Sequence, residues 1–391
     1  MKASLATFLG EGGTVTTDGI LKASAVALAV TLATTLFILY AYGHAAFNTS
    51  NYGITWGLPI STYVFLVLTS TGLTFVASLA MIFGFEEFYP VAKRCVWLAV
   101  AALVAGFTSL GLEIGHPFRM LWALPTGMQV VSPMFWMGVF YTLYFVFLLL
   151  KFQRIHAGDW HSPTSRLLGI VSVVSVVVAH GTLGLVFGMM VMRPMWYSDL
   201  MPIYFLITAA LSGAAFAVFF TYLAYGFDRA RMPAGVRTLA AGTTLPKIFA
   251  TLIGATIIMV VSRTATGLWT NLDGMQVVHE SLRSPWFHFE LWAGLVLPFA
   301  LMLSPWHQRE PRWQVLAAVL VIVSLFIARY DYMIGGQRVP AFKGGWIPGL
   351  IDYTPSFGEW MIALTAFSLV FAIYAVGEKL FNLAGTPGKK G

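Results

Sequence analysis

The sequence predicts an all-α integral membrane protein with about ten transmembrane helices. Three observations carry that reading: 58% of the 391 residues are hydrophobic, the mean hydropathy is +0.78, and only 10% are charged. A soluble chain carries more charge, about a quarter of its residues. Apolar runs of about 18–25 residues recur, each long enough to cross a ~30 Å hydrocarbon core as a helix. Helices satisfy their backbone amides internally, as lipid requires.

The ten runs cover roughly residues 20–42, 59–83, 96–114, 133–152, 167–192, 200–225, 246–268, 286–303, 313–328 and 356–378. The first follows MKASLATFLGEGGTVTTDG, which does not lead from a basic start directly into an apolar core. It therefore reads as no removable signal, and helix one is expected to stay. The second run opens at GLPISTYVFLVLTSTG and the sixth at DLMPIYFLITAALSG, while VSPMFW (131–136) is answered by RSPWFH (283–288). This echo predicts two four-helix bundles, helices 2–5 (59–192) and 6–9 (200–328), within a single transmembrane domain over 1–391. Helices one and ten are then additions. Chance recurrence of a helix-starting proline gives the same pattern without a repeat. The stretch 329–355, rich in Gly, Pro and aromatics, is expected to be a long external connection. It either caps a cavity or docks a partner, or is an ordinary surface loop.

The net charge of +7 is a topology signal. Lysines and arginines favour the side of the N-terminus by about two to one, the positive-inside asymmetry. That places both termini in the cytoplasm of a bacterial or archaeal cell, the chain in its cytoplasmic (inner) membrane, and argues against nucleic acid as a partner. The single cysteine, Cys95, excludes an internal disulfide, an iron–sulfur cluster or a c-type haem in this chain. No metal site is expected.

Against this apolar background, Glu113, His116 and Arg119 stand within seven positions at the outer end of helix three. Arg193, Arg263, His288, Glu290, Arg329 and Glu359 fall in the same half, and His180 lies slightly outside the middle of helix five. A charge in hydrocarbon costs several kcal/mol unless paired or hydrated, so such groups face a bundle interior or a cavity. Snorkelling to the interface is the plain alternative for any one of them. The inner half offers mainly hydroxyls, Thr69, Ser70, Thr71, Thr74 and Ser78 on helix two. Tyr63, Trp136, Tyr141 and Tyr144 can wall a pocket, or serve only as interfacial aromatics. An outward polar pocket with aromatic walls suits a lipophilic ligand with a polar head, and a quinone fits. Glu113 and His116 are the candidates for proton transfer. Tyr63, Glu113, His116, Arg119, Trp136, Tyr141 and His180 are the candidates for binding the quinone head.

The run LEIGHPFRMLWAL followed by SPMFWMG resembles the signature of the NrfD/PsrC family, the polysulfide-reductase-type membrane subunits. The matching positions are Glu113, Gly115, His116, Pro117, Arg119, Ser132, Pro133, Met134, Trp136 and Gly138. Glu113 departs from the commoner Asp, and Met137 intervenes between Trp136 and Gly138. The stretch 179–215, AHGTLGLVFGMMVMRPMWYSDLMPIYFLITAALSGAA, looks like the family's fifth and sixth helices. SRTATGLW and IARYDYMIGGQ…YTPSFGEW resemble the ten-helix branch of membrane subunits associated with dissimilatory sulfite reductase and periplasmic hydrogenase complexes.

The resemblance covers roughly 50–380. It implies a quinone or menaquinone site near the outer face, and a respiratory or sulfur-metabolism role. It also implies a periplasmic ferredoxin-like Fe–S partner among the redox subunits of a larger complex, cytochrome subunits included. In polysulfide-reductase relatives a histidine on helix two helps bind quinone; by its spacing to Gly72, Tyr63 occupies that position here.

Two other classes compete. A b-type cytochrome needs pairs of facing intramembrane histidines, and only His180 lies well inside, so haem b fits poorly. A secondary transporter favours broken helices with polar groups at midplane, whereas no interruption is evident and the charges lie outward. With this topology, cysteines introduced at Gln129 or Lys343 are labelled by an impermeant thiol reagent from the side opposite the termini. Labelling only after permeabilisation would invert the orientation.

Overall fold

The computed structural model describes residues 17–50, 53–270, 274–340 and 349–387; Lys2, Lys343 and the middle of the 329–355 connection lie outside them. Among the described residues, ten helices are long and apolar enough to span a membrane: α1 Thr17–Tyr42, α2 Leu58–Met81, α3 Tyr89–Glu113, α4 Pro133–His156 and α5 Pro163–Gly188. They continue with α6 Met201–Ala224, α7 Thr244–Trp269, α8 Pro285–Leu303, α9 Pro311–Gly335 and α10 Phe357–Leu380. Shorter helices, Pro117–Gly127, Ala234–Ala241 and Gln276–Ser281, sit in the connections.

Several starts are written in the sequence. Proline occupies the first turn of α2, α3, α4, α5, α6, α8 and α9, where its missing N–H costs nothing. The start of α10 is a capping box: Ser356 Oγ accepts from the Glu359 amide (3.3 Å), and Glu359 Oε2 accepts from the Ser356 amide (2.7 Å).

Three helices depart from the hydropathy reading. α3 starts at Tyr89 rather than near 96 and so contains Lys93 and Arg94, both buried. Their charges are held internally. Arg94 Nε pairs with Glu378 of α10, Arg94 Nη2 reaches the Tyr225 hydroxyl (3.5 Å), and Lys93 Nζ donates to the Phe381 carbonyl (2.6 Å). The inner half is therefore not confined to hydroxyls, since Glu378 and Lys151 are buried there too. α9 continues through Arg329 to Gly335, because Arg329 donates to Thr208 of α6 rather than capping the helix. α8 is interrupted by a π-helical stretch, Phe289–Val296. There Gly294 admits α9 so closely that a Cβ would overlap Ser324, whose Oγ donates to the Glu290 carbonyl (3.1 Å). Such stretches frequently mark functional sites.

Neighbouring helices close two rings, α2–α3–α4–α5 and α6–α7–α8–α9, with α10 against α1 and α3. The rings meet where α2 crosses α6. A Cβ on Gly72 would overlap the Ala209 carbonyl, and one on Gly213 would overlap the Gly72 backbone. Thr69 Oγ1 donates to Ser212 Oγ across this contact (3.2 Å). In lipid, helices associate by close packing and interhelical hydrogen bonds, and small residues permit the approach.

Gly72→Ala must separate two backbones, so it is expected to destabilise by about 1–3 kcal/mol or more. Gly111→Ala on α3, where a Cβ meets nothing within 4 Å, is expected to be neutral or to stabilise by up to about 1 kcal/mol. Thermal unfolding in detergent checks the pair; equal effects would remove the crossing from its central place.

Candidate functional site

The interior of the first ring holds a hydrogen-bonded cluster around His180. This imidazole is fully buried, with Nδ1 2.6 Å from Thr71 Oγ1 and 3.1 Å from the Val176 carbonyl, and Nε2 3.0 Å from the Tyr141 hydroxyl. A carbonyl can only accept, so Nδ1 carries the proton toward Val176 and Nε2 accepts from Tyr141. Rings extend the cluster: Tyr141 stands edge-on to His180 (centroids 5.2 Å), Phe107 to Tyr141 (5.5 Å), and Tyr63 packs on Phe107 (5.7 Å). The buried Tyr63 hydroxyl lies beside that of Tyr141, outside ordinary hydrogen-bond geometry, and has no other partner among the described residues. A second strand of hydroxyls runs along α2, where the Tyr144 hydroxyl meets Ser70 Oγ (2.8 Å) and Thr74 Oγ1 (2.7 Å).

A carboxylate corner lies toward the ends where α2 and α10 begin and α3 finishes. Glu113 is the last residue of α3; its backbone carbonyl accepts from His44 Nε2 (2.7 Å), while its Oε2 is buried without a partner among the described residues. Within electrostatic reach is Glu359, which is fully buried. Glu359 accepts from the Tyr353 hydroxyl and from the Asn48 amide (3.2 Å). Burial and the adjoining Glu359 carboxylate hold the Tyr353 hydroxyl well above the ordinary tyrosine range, so it stays a donor. Its oxygen in turn accepts the Leu58 amide at the start of α2 (2.9 Å), a group with no intrahelical partner. Gly57 makes this junction possible, since a Cβ there would overlap Glu359 and Tyr353.

Of the predicted residues, Tyr63, Tyr141 and His180 come together in the interior, and Glu113 lies on the end of the same ring. His116 and Arg119 are exposed, and Glu113 and Arg119 form no ion pair among the described residues. Trp136 is also exposed and donates its Nε1 to the Val130 carbonyl (2.8 Å). The physical reason is local. Pro117 starts the separate short helix Pro117–Gly127, which carries Arg119 away from α3. Thr71, Ser70 and Thr74 are direct partners in the cluster, although the sequence offered them only as helix-two hydroxyls. Glu359 could have been singled out by its capping-box spacing from Ser356.

A multi-pass helical membrane protein with a buried Tyr–His cluster and a carboxylate at one end of the same bundle is the class that this fold and site define. The family model described as "Polysulphide reductase, NrfD" matches residues 46–341, and the chain belongs to that family. It is 23% identical to the Hdr-like menaquinol oxidoreductase integral membrane subunit of Archaeoglobus fulgidus, the match covering 84% of this chain and 85% of that protein. It is likewise 23% identical to a selenate reductase subunit of Mesobacillus selenatarsenatis, covering 86% and 89%. A putative dimethyl sulfoxide reductase membrane subunit of Halobacterium salinarum matches at 23% identity over 84% and 83%.

The hydrogen bonds separate structural from unengaged groups. His180→Leu strands the hydroxyls of Thr71 and Tyr141 and is expected to destabilise by about 1–3 kcal/mol. Glu113→Gln alters an oxygen without a partner and should leave the melting temperature near the parent's. The reverse order in a thermal-shift measurement would contradict this division.

Proposed function

We propose that this chain is the quinol-reactive membrane subunit of a respiratory or sulfur-metabolism oxidoreductase complex. It exchanges electrons between a membrane quinone, such as menaquinone, and an Fe–S subunit outside the cytoplasmic membrane. One observation carries the reading. An unpartnered buried donor, the Tyr63 hydroxyl, and an unpartnered buried acceptor, Glu113 Oε2, stand on adjacent packed helices of one bundle. Buried polar atoms are nearly always satisfied, so such a pair calls for a ligand. Gly106 of α3 lies level with Tyr63, and Glu113 is two turns further on, roughly 10 Å along the axis. Side chains lean toward the N-terminus of their helix, and α2 and α3 run in opposite directions, so Tyr63 and Glu113 lean toward each other.

A quinone head held between these two groups has one oxygen accepting from Tyr63 and the other facing Glu113. In quinol oxidation two electrons and two protons leave. Glu113 takes the two protons in turn, releasing the first past the exposed rim of His116 and Arg119 to the aqueous phase before the second leaves, and the two electrons pass to the Fe–S subunit. His180 fixes the Tyr141 hydroxyl beside Tyr63 and acts as a positioning residue. The relatives, named as subunits of menaquinol, selenate and dimethyl sulfoxide oxidoreductases, support the assignment to a redox complex. The positive-inside asymmetry supports cytoplasmic termini, which puts this end of the bundle outside.

The test uses the intact complex in native membranes with a water-soluble menaquinol analogue. Glu113→Gln should lower quinol oxidation by about 10²-fold, the usual effect of removing a proton-transfer group, and Tyr63→Phe by about ten-fold through the lost hydrogen bond, with assembly retained in both. Normal turnover in both variants contradicts the assignment.

A further inference from the structure

The second ring carries a separate cavity of about 140 Å³ at the same end of the molecule. Its walls come from the α5–α6 connection, the last turns of α7, the short helix Gln276–Ser281 and Phe287 at the start of α8. One charged side chain lines it, Arg263. Its guanidinium lies over the rings of Tyr332 (5.1 Å) and Tyr204 (5.7 Å). Among the described residues it makes no hydrogen bond or ion pair, and its Nη1 is buried without a partner. Two carboxylates lie within electrostatic reach, Glu290 and Asp331; neither forms an ion pair with Arg263 and neither lines the cavity. The nearby Arg329 is itself buried with an unpartnered Nη1, which adds a second positive charge. The remaining polar lining is hydroxyl-bearing: Tyr197, Ser198, Tyr204, Ser262, Thr264, Thr266 and Ser281.

Depth is fixed by the surroundings. Trp269 and Trp286, at the end of α7 and the start of α8, are exposed, as aromatic side chains are at the membrane–water boundary. About two and three turns below Trp269, α7 exposes Val261 and Ile258, as a lipid-facing helix does. The cavity is thus at headgroup level beside a lipid-facing helix. A guanidinium held by two rings, with free N–H donors and hydroxyls around it, matches a phosphate in charge and geometry.

We propose that this cavity binds an anionic phosphate group, with the phosphodiester of an anionic phospholipid as its source, and that Arg263 is the residue that holds it. The site is distinct from the Tyr63–Glu113 site in the first ring and stands whether or not that ring binds quinone.

The experiment uses the full chain purified in detergent, with thermal stability and native mass spectrometry as readouts. Phosphatidylglycerol should raise the melting temperature and remain bound in the gas phase, whereas phosphatidylcholine should do neither. Arg263→Gln should weaken phosphatidylglycerol binding about ten-fold or more. If that variant does not fold, Ser281→Leu at the cavity wall retains the guanidinium and should lose binding by filling the space. Inorganic phosphate at millimolar concentration is the second arm. Protection by it and not by the lipid keeps the phosphate site but overturns the lipid as its source. Equal binding of both lipids, protection by neither lipid nor phosphate, or undiminished binding in the variants overturns the proposal.

Discussion

Two glycines, Gly72 and Gly213, let the backbones of α2 and α6 touch, and the positions of most other groups follow from that contact. In a bilayer no hydrophobic gain drives helices together, so approach depends on packing and on hydrogen bonds such as Thr69 to Ser212. With α2 held there, Thr71 faces α5 and meets His180, while Ser70 faces α4 and meets Tyr144. The same crossing puts α6 beside α9, where Thr208 receives Arg329. That guanidinium comes within electrostatic reach of His180, so the polar centres of the two rings flank one seam.

The polar groups in this membrane interior divide into completed and incomplete sets. Arg94 with Glu378, Gln314 with Tyr222, and Glu359 with Tyr353 and Asn48 have partners within the chain and tie helices together, Arg94 leaving only its Nη1 unpaired. Removing one member of a buried ion pair leaves an unpaired charge, at a cost of about 3–5 kcal/mol. Tyr63, Glu113 and Arg263 keep buried atoms unpaired among the described residues toward one end of the molecule, while Arg94 Nη1, Ser172, Thr221 and Arg329 Nη1 do so elsewhere. Incompleteness of that kind is costly in a low-dielectric interior. It is therefore where a ligand gains most.

Ten spans were legible in the sequence because length and hydropathy decide them. Helix ends were less so. Lys93 and Arg94 read as a loop only because their partners, Glu378 and the Phe381 carbonyl, stand nearly three hundred positions away. The π stretch in α8 was invisible because it depends on the fit of Gly294 against Ser324 rather than on composition. In the candidate site, Tyr63, Tyr141 and His180 were chosen from depth and residue type, and depth is what a hydropathy profile conveys. His116, Arg119 and Trp136 were grouped with them by proximity in sequence, but the helix begun by Pro117 separates them in space. Thr71 and Tyr353 acquire roles only through contacts that no local pattern announces.

On the proposed assignment the quinone head sits between α2 and α3 in the first ring. A photoreactive azido-menaquinone analogue, cross-linked to the complex in native membranes and mapped by peptide mass spectrometry, addresses it most directly. The account predicts label on the peptides bearing Tyr63 and Glu113, displaced by excess unlabelled menaquinone. Label confined to α6–α9, displaced in the same way, would contradict it.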